Sequence, residues 1–362
     1  MAHAWARLPA RLIFAAVLLC AADETYAQEP ARSPALQQLI KDAQKEGQLN
    51  LVVSDTFGQS EGVQAMENAL NKTYGIKIKL NYTPGPAMTQ LNSRVIQEVK
   101  AGRASSTDLY VGVEVAVTEM IVSDVLRPMP WADLFPDVLP GMVQSDNRLL
   151  LITTLFNGIT YNVNYVTPDK VPKKMEDVFR PEWKGKIAST PYAVSFDRLA
   201  LKKGFDVMKP IMEKTAQWSA GLIRCGEAER IATGEFYMLF QDCGLIEPKL
   251  EQKNGGPLAH VVLQDSATTG LVYTAIPKTS AHPNLAALLS GFLITKEGQA
   301  ILDKYQHATS HLVPGTPANA VYKSLEAAGS EPLALTPDDL LANQKELLEY
   351  KKAFEKILAG GK

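Results

Sequence analysis

Few residues in this chain carry a spacing suited to covalent chemistry. Of the five histidines, only His307 and His311 sit four apart, which on a helix would put both imidazoles on one face and let them hold a metal. The intervening Ala308-Thr309-Ser310 lacks the glutamate of a zinc-protease helix, and Pro314-Gly315 just beyond signals a helix end. There is no phosphate-cradling P-loop and no cysteine cluster with metal spacing. The chain is therefore expected to need no cofactor. A metal-dependent enzyme built on His307 and His311 is the weakest of three readings.

Binding chemistry has more support, all of it in loops. Ser54 to Ser60 follows an apolar strand and offers Thr56, the aromatic face of Phe57 and a glycine. Thr83 to Thr89 follows the next strand and holds Gly85; Val111 to Glu114 closes a third. Loops at the carboxyl ends of strands in an α/β sheet present free N–H groups and side chains to a ligand. Farther along, Ser189 to Ser195 supplies Tyr192 and Ser195, and Tyr237 to Cys243 supplies Gln241 and Asp242. Asn157 and Tyr161 fall where a long extended segment would cross between two halves. Phe57 and Tyr192 could sandwich an organic group. Arg198 is the arginine nearest these loops and is expected at the surface.

The elements that must position these loops alternate in period. Ser33-Pro34 reads as a helix cap and first residue, with Leu36, Leu39, Ile40 and Ala43 on one face and Gly47 at the end. Strand Leu49 to Val53, a helix carrying Val63, Met66 and Leu70, strand Ile76 to Tyr82, a helix carrying Met88, Leu91, Val95 and Val99, and strand Leu109 to Val113 follow. Such alternation predicts helices over largely parallel sheets. Two extended stretches, Leu149 to Val163 and Leu258 to Ile276, break the rhythm and predict two crossovers. Lobe 1 would then be 33–155 with 272–362, and lobe 2 would be 156–271. Thr336-Pro337-Asp338-Asp339 starts a final amphipathic helix, expected to dock on lobe 1.

Length and charge set the frame. A chain of 362 residues exceeds one ordinary core and suits two lobes of roughly 100–200 residues. The formal net charge of −2 gives no reason to expect nucleic acid. Arg7 and Arg11 precede the apolar run Leu12 to Cys20, and Thr25-Tyr26-Ala27 supplies a small-x-Ala cleavage site. Residues 1–27 are thus read as a cleaved export signal, leaving a monomer with no membrane span. In an oxidising compartment Cys225 and Cys243 would either be bridged, worth about 3 kcal/mol by loop entropy, or remain two buried thiols.

Two segments carry a family likeness: Pro-Glu-Trp-Lys-Gly-Lys-Ile from Pro181 to Ile187, and Ala281 to Gln299 with its His-Pro start and Glu-Gly-Gln end. With Lys72 to Ile78, the Asp108 strand and Phe156 to Asn162, they resemble the ferric-iron-type bacterial extracellular solute-binding proteins, family 1. The resemblance implies a type II periplasmic binding fold: two α/β lobes joined by two strands, closing over a solute for delivery to an inner-membrane ABC permease. Thr56, Phe57, Gly85, Glu114, Asn157, Tyr161, Tyr192, Ser195, Gln241 and Asp242 are the expected contacts. Ferric members use adjacent tyrosines in lobe 2, where this chain has Gln241-Asp242-Cys243. Ferric iron with a synergistic anion is therefore the alternative to a small organic solute.

Overall fold

The computed structural model describes Met1 and residues 32–54, 57–86, 88–192 and 195–360; the expected export signal with its expected cleavage point and Thr56 lie outside the described residues. The first elements follow local sequence closely. The Ser33 hydroxyl accepts the Leu36 N–H at the start of helix Pro34–Glu46, and Gly47 ends it in a left-handed conformation. Strands Gln48–Val53 and Lys79–Pro84 pair in parallel around helix Gln59–Tyr74. The second ladder starts later than the alternation from Ile76 implies. The amides of Lys77 and Ile78 are taken by the side chains of Gln44 and Asn71 instead.

Two sheets organise the rest. One runs in the order Tyr110–Val113, Thr268–Pro277, Leu149–Asn157, Val143–Gln144, with every neighbour antiparallel. The other runs Leu258–Val261, Ile159–Asn162, Met238–Phe240, Ile187–Ser189, Ser219–Leu222. Ile159–Asn162 runs against both of its neighbours, and only the pairings among the last three strands are parallel. The two-lobed α/β class stands, but the expectation of mostly parallel sheets is corrected. A chain that leaves a lobe on Leu149–Asn157 and re-enters on its neighbour Thr268–Pro277 must run the two in opposite directions. Gly158 sits at the outgoing crossing, where a Cβ would collide with the backbone carbonyl of Val261.

The segments that carry the family likeness are structural anchors. Buried Asp108 takes the Asn50 N–H at 2.8 Å, the Ala281 N–H at 2.8 Å and His282 Nδ1 at 2.8 Å, pinning the entrance of helix Pro283–Leu293. Gln299 donates to the carbonyls of Ile152 and Leu293 and accepts the Ser310 N–H, tying helix Lys296–Gln306 to the sheet. Trp183 is buried in the second lobe, and Gly185 supplies the left-handed residue that turns the chain into strand Ile187–Ser189. Cys225 and Cys243 are bridged, with Cα atoms 5.7 Å apart.

The chain's end departs from expectation. Helix Pro337–Ala342 stays on the first lobe: it packs on helix Glu114–Val122, and Asp338 accepts from the Ser145 hydroxyl at 3.2 Å. Helix Gln344–Gly360, expected there too, instead joins the core of the second lobe through Phe354 and Leu358. Phe354 stacks on Phe205 at 5.2 Å and meets Phe196 edge-on at 6.2 Å. The apolar stripe reveals that this helix must dock. The aromatic surface of helices Phe196–Lys203 and Phe205–Trp218 decides where. With only Asn343 between the two helices, the chain passes between the lobes a third time.

Candidate functional site

A cleft of about 350 Å³ lies between the lobes. Val113, Glu114, Val115, Leu155 and Gly270 line it from the first lobe, and Tyr192, Ser195, Asp197, Arg198 and Cys243 from the second. Asn157 stands at the crossing, and Lys351 enters from the last helix. Glu114 opens helix Glu114–Val122 and is almost wholly buried; its Oε2 accepts the Leu271 N–H at 2.7 Å. Its Oε1 lies 2.5 Å from Arg198 Nη2, and Arg198 Nη1 donates to the Thr269 carbonyl at 3.1 Å. This ion pair bridges the lobes. The expectation that Arg198 lies at the surface is corrected: its side chain is 14% exposed.

Four of the expected contacts meet at the cleft: Glu114, Asn157, Tyr192 and Ser195. Each is already tied into the protein. Asn157 Nδ2 donates to the Asp242 carbonyl at 2.7 Å. Ser195, in a left-handed conformation, places Oγ 2.6 Å from Thr268 Oγ1. The Tyr192 hydroxyl accepts the Cys225 N–H at 3.0 Å, so the disulfide loop holds the ring that faces the cleft.

The other expected contacts among the described residues serve the framework. Phe57 is buried in the core of the first lobe, so it cannot pair with Tyr192 around a solute. Gly85 donates its N–H to the Val53 carbonyl at 2.8 Å, and a Cβ there would press on Val52 and Val53. Tyr161 lies in strand Ile159–Asn162 and packs on the second core, where burial pushes its phenol pKa up. Gln241 is fully buried and donates to Ser266 Oγ at 3.3 Å. Asp242 is a buried node at the crossing. Its carboxylate accepts from the Gly158 N–H, the Thr160 hydroxyl and the Gly244 N–H and lies 3.3 Å from His260 Nε2. A short run of polar residues after a strand looks the same in sequence whether it faces a ligand or the hinge.

His307 and His311 do not share a helix face. Helix Lys296–Gln306 ends at His307, whose left-handed conformation turns the chain away. His307 lines a separate cavity of about 290 Å³ on the other side of the crossing strands, with Lys249, His260 and Asp303. His311 instead sets Nδ1 2.7 Å from Thr154 Oγ1 and lies 4.9 Å from the Tyr322 ring. Burial pushes its pKa down from 6.5 to about 4. The unfolded chain therefore binds that proton more readily. Its contribution to stability is complete above about pH 6.5 and is lost as the pH falls towards 4. Urea midpoints measured from pH 7 to 4 are expected to fall less steeply in His311→Asn than in wild type. Parallel curves would show that His311 does not set the acid limb.

Three residues that line the cleft were not among the expected contacts: Asp197, Arg198 and Lys351. Arg198 is hard to find because it points away from the face formed by Phe196, Leu199 and Ala200. A residue opposite its own core reads as solvated. Lys351 left a usable signal, since it falls on the same stripe as Leu347, Phe354 and Leu358, where an apolar residue is expected.

The family described as bacterial extracellular solute-binding protein matches residues 65–328. The major ferric iron-binding protein of Neisseria meningitidis is 22% identical over 263 residues, 67% of this chain and 75% of that protein. Iron-bound HitA of Pseudomonas aeruginosa superposes with a TM-score of 0.65 at 19% identity, over 85% of this chain and 99% of the other. The substrate-binding protein of an Agrobacterium tumefaciens ABC transporter superposes with a TM-score of 0.66 at 15% identity, over 90% and 98% of the two chains. These structures share the fold.

Proposed function

The chain belongs to the bacterial extracellular solute-binding proteins, and on that premise we propose that it takes its solute into the cleft walled by Glu114, Asn157, Tyr192 and Ser195. It acts as the periplasmic substrate-binding component of an ABC importer, binding rather than transforming its cargo and handing it to the permease. Residues 1–27 serve as the cleaved export signal, and the exported chain works as a monomer. Its first lobe comprises about 33–155 and 272–342, its second 156–271 and 344–360. The observation that carries this reading is the cleft itself, whose walls come from both lobes. A solute there contacts both lobes only when they are closed, so it shifts the open–closed equilibrium by its preference for the closed form.

A thermal-shift screen over organic acids, phosphonates, amines, sugars and metal ions tests the proposal. At least one solute is expected to raise the Tm of wild type. The response should shrink in Tyr192→Ala and persist in Lys249→Ala, which alters the cavity across the crossing strands. No response from wild type, or equal loss in both variants, would remove the cleft as the capture site.

Ferric iron is the second reading, favoured by the names of two relatives. Glu114 would then have to exchange Arg198 for the metal, with Tyr192 as the nearest aromatic oxygen donor on the cleft wall. Titrating Fe(III) citrate should give a tyrosinate charge-transfer band that Tyr192→Phe abolishes. A flat absorbance record would exclude this reading.

A further inference from the structure

Resting on the capture reading, we propose that Lys351 is a ligand-binding cation supplied to the cleft by the C-terminal helix, and that the solute carries an anionic oxygen group such as a carboxylate or phosphate. The family match ends at residue 328, before helices Pro337–Ala342 and Gln344–Gly360, so this cleft wall belongs to a segment beyond the matched region. The helix is fixed there by its core contacts. Leu347, Phe354 and Leu358 are buried, and Lys351 falls between them on the same stripe, four residues after Leu347 and three before Phe354. A lysine on a docking stripe would ordinarily be driven into apolar surroundings. Here its side chain stays 48% exposed because that part of the stripe overhangs the cleft.

The charges already in the cleft leave Lys351 the available one. Glu114 and Arg198 neutralise each other, and Arg198 is held further by the Thr269 carbonyl. Asp197 accepts the backbone Arg198 N–H at 2.8 Å; burial pushes its carboxyl pKa up, while the Arg198 and Lys351 charges pull it down. Lys351 meets Glu355 only at 3.9 Å, one turn along its own helix. A flexible ammonium with its partner that distant can swing onto an incoming oxyanion. The Glu114–Arg198 bridge, by contrast, would have to break before either member could bind a charged solute.

Citrate, succinate and inorganic phosphate as anionic probes, spermidine and thiamine as cationic ones and glucose as a neutral one can be titrated at fixed ionic strength. The chains compared are wild type, Lys351→Glu, Lys351→Gln and Lys352→Glu, with circular dichroism to show that each is folded. At least one anionic probe is expected to bind wild type. Lys351→Glu should bind it at least tenfold more weakly and Lys351→Gln should fall between. Lys352→Glu, which makes the same charge change at the exposed neighbouring position, should stay within twofold. Binding of only cationic or neutral probes would overturn the assignment and leave the capture reading intact. So would equal losses in Lys351→Glu and Lys352→Glu. If no probe binds wild type, both fall together.

Discussion

Arg198→Ala is expected to swing the lobes apart. In the wild-type chain its guanidinium is the partner of Glu114, a carboxylate whose side chain is 2% exposed and which belongs to the other lobe. Leaving one member of such a pair buried alone costs about 3–5 kcal/mol. Closed and open forms of a two-state protein commonly differ by only a few kcal/mol. Opening lets water reach Glu114 and removes the penalty without unfolding either lobe, so opening is the cheaper response. Small-angle scattering should show a larger radius of gyration for Arg198→Ala than for wild type, with the helical signal unchanged. The double variant Arg198→Leu/Glu114→Gln should return towards the wild-type profile. Its neutral amide keeps the acceptor for the Leu271 N–H while removing the orphaned charge. Superimposable profiles for wild type and Arg198→Ala would show that the ion pair does not hold the lobes together.

The second large effect is expected at Phe354. Its ring is fully buried between Phe205 and Phe196, and no polar atom offsets its removal. Truncating such a side chain to alanine costs about 3–5 kcal/mol through lost burial and the cavity left behind. That is a large share of the 5–15 kcal/mol that typically separates folded from unfolded protein. The urea midpoint of Phe354→Ala should drop accordingly. Leu348→Ala, on the exposed side of the same helix, should move it by no more than about 0.5 kcal/mol. Because Phe354 also fixes Lys351 at the cleft, the variant should weaken solute binding even where it remains folded. An unchanged midpoint would mean that the last helix is not part of the second core.

The two effects mark where local sequence stops being sufficient. The Ser33 cap, the Gly47 stop, the Trp183-Lys184-Gly185 approach to a strand and the His282-Pro283 helix entrance are all legible from neighbouring residues. Their causes lie within a turn or two: a hydroxyl on an amide, a glycine at positive φ, a proline without an N–H to satisfy. The candidate site is different. Asp242 and Gln241 are polar residues after a strand, as are Tyr192 and Ser195. The first two are consumed by the crossing strands and the last two face the cleft, a distinction that depends on segments 25 to 85 residues away.

By itself the sequence determined the α/β periods, the paired long strands that cross between lobes and the family to which the chain is matched. The first two follow from apolar spacing and short-range backbone constraints, the third from the segments at Pro181 to Ile187 and Ala281 to Gln299. Only the tertiary structure decided the antiparallel sense of the central strands, the lobe that receives the last helix and the residues that line the cleft. An amphipathic stripe specifies that a face must be covered, without specifying by what. A charged residue pointing away from its own core is solvated in an isolated lobe, but at the interface of two lobes it meets the other. Arg198 and Lys351 owe their positions to that second surface, which no local pattern encodes.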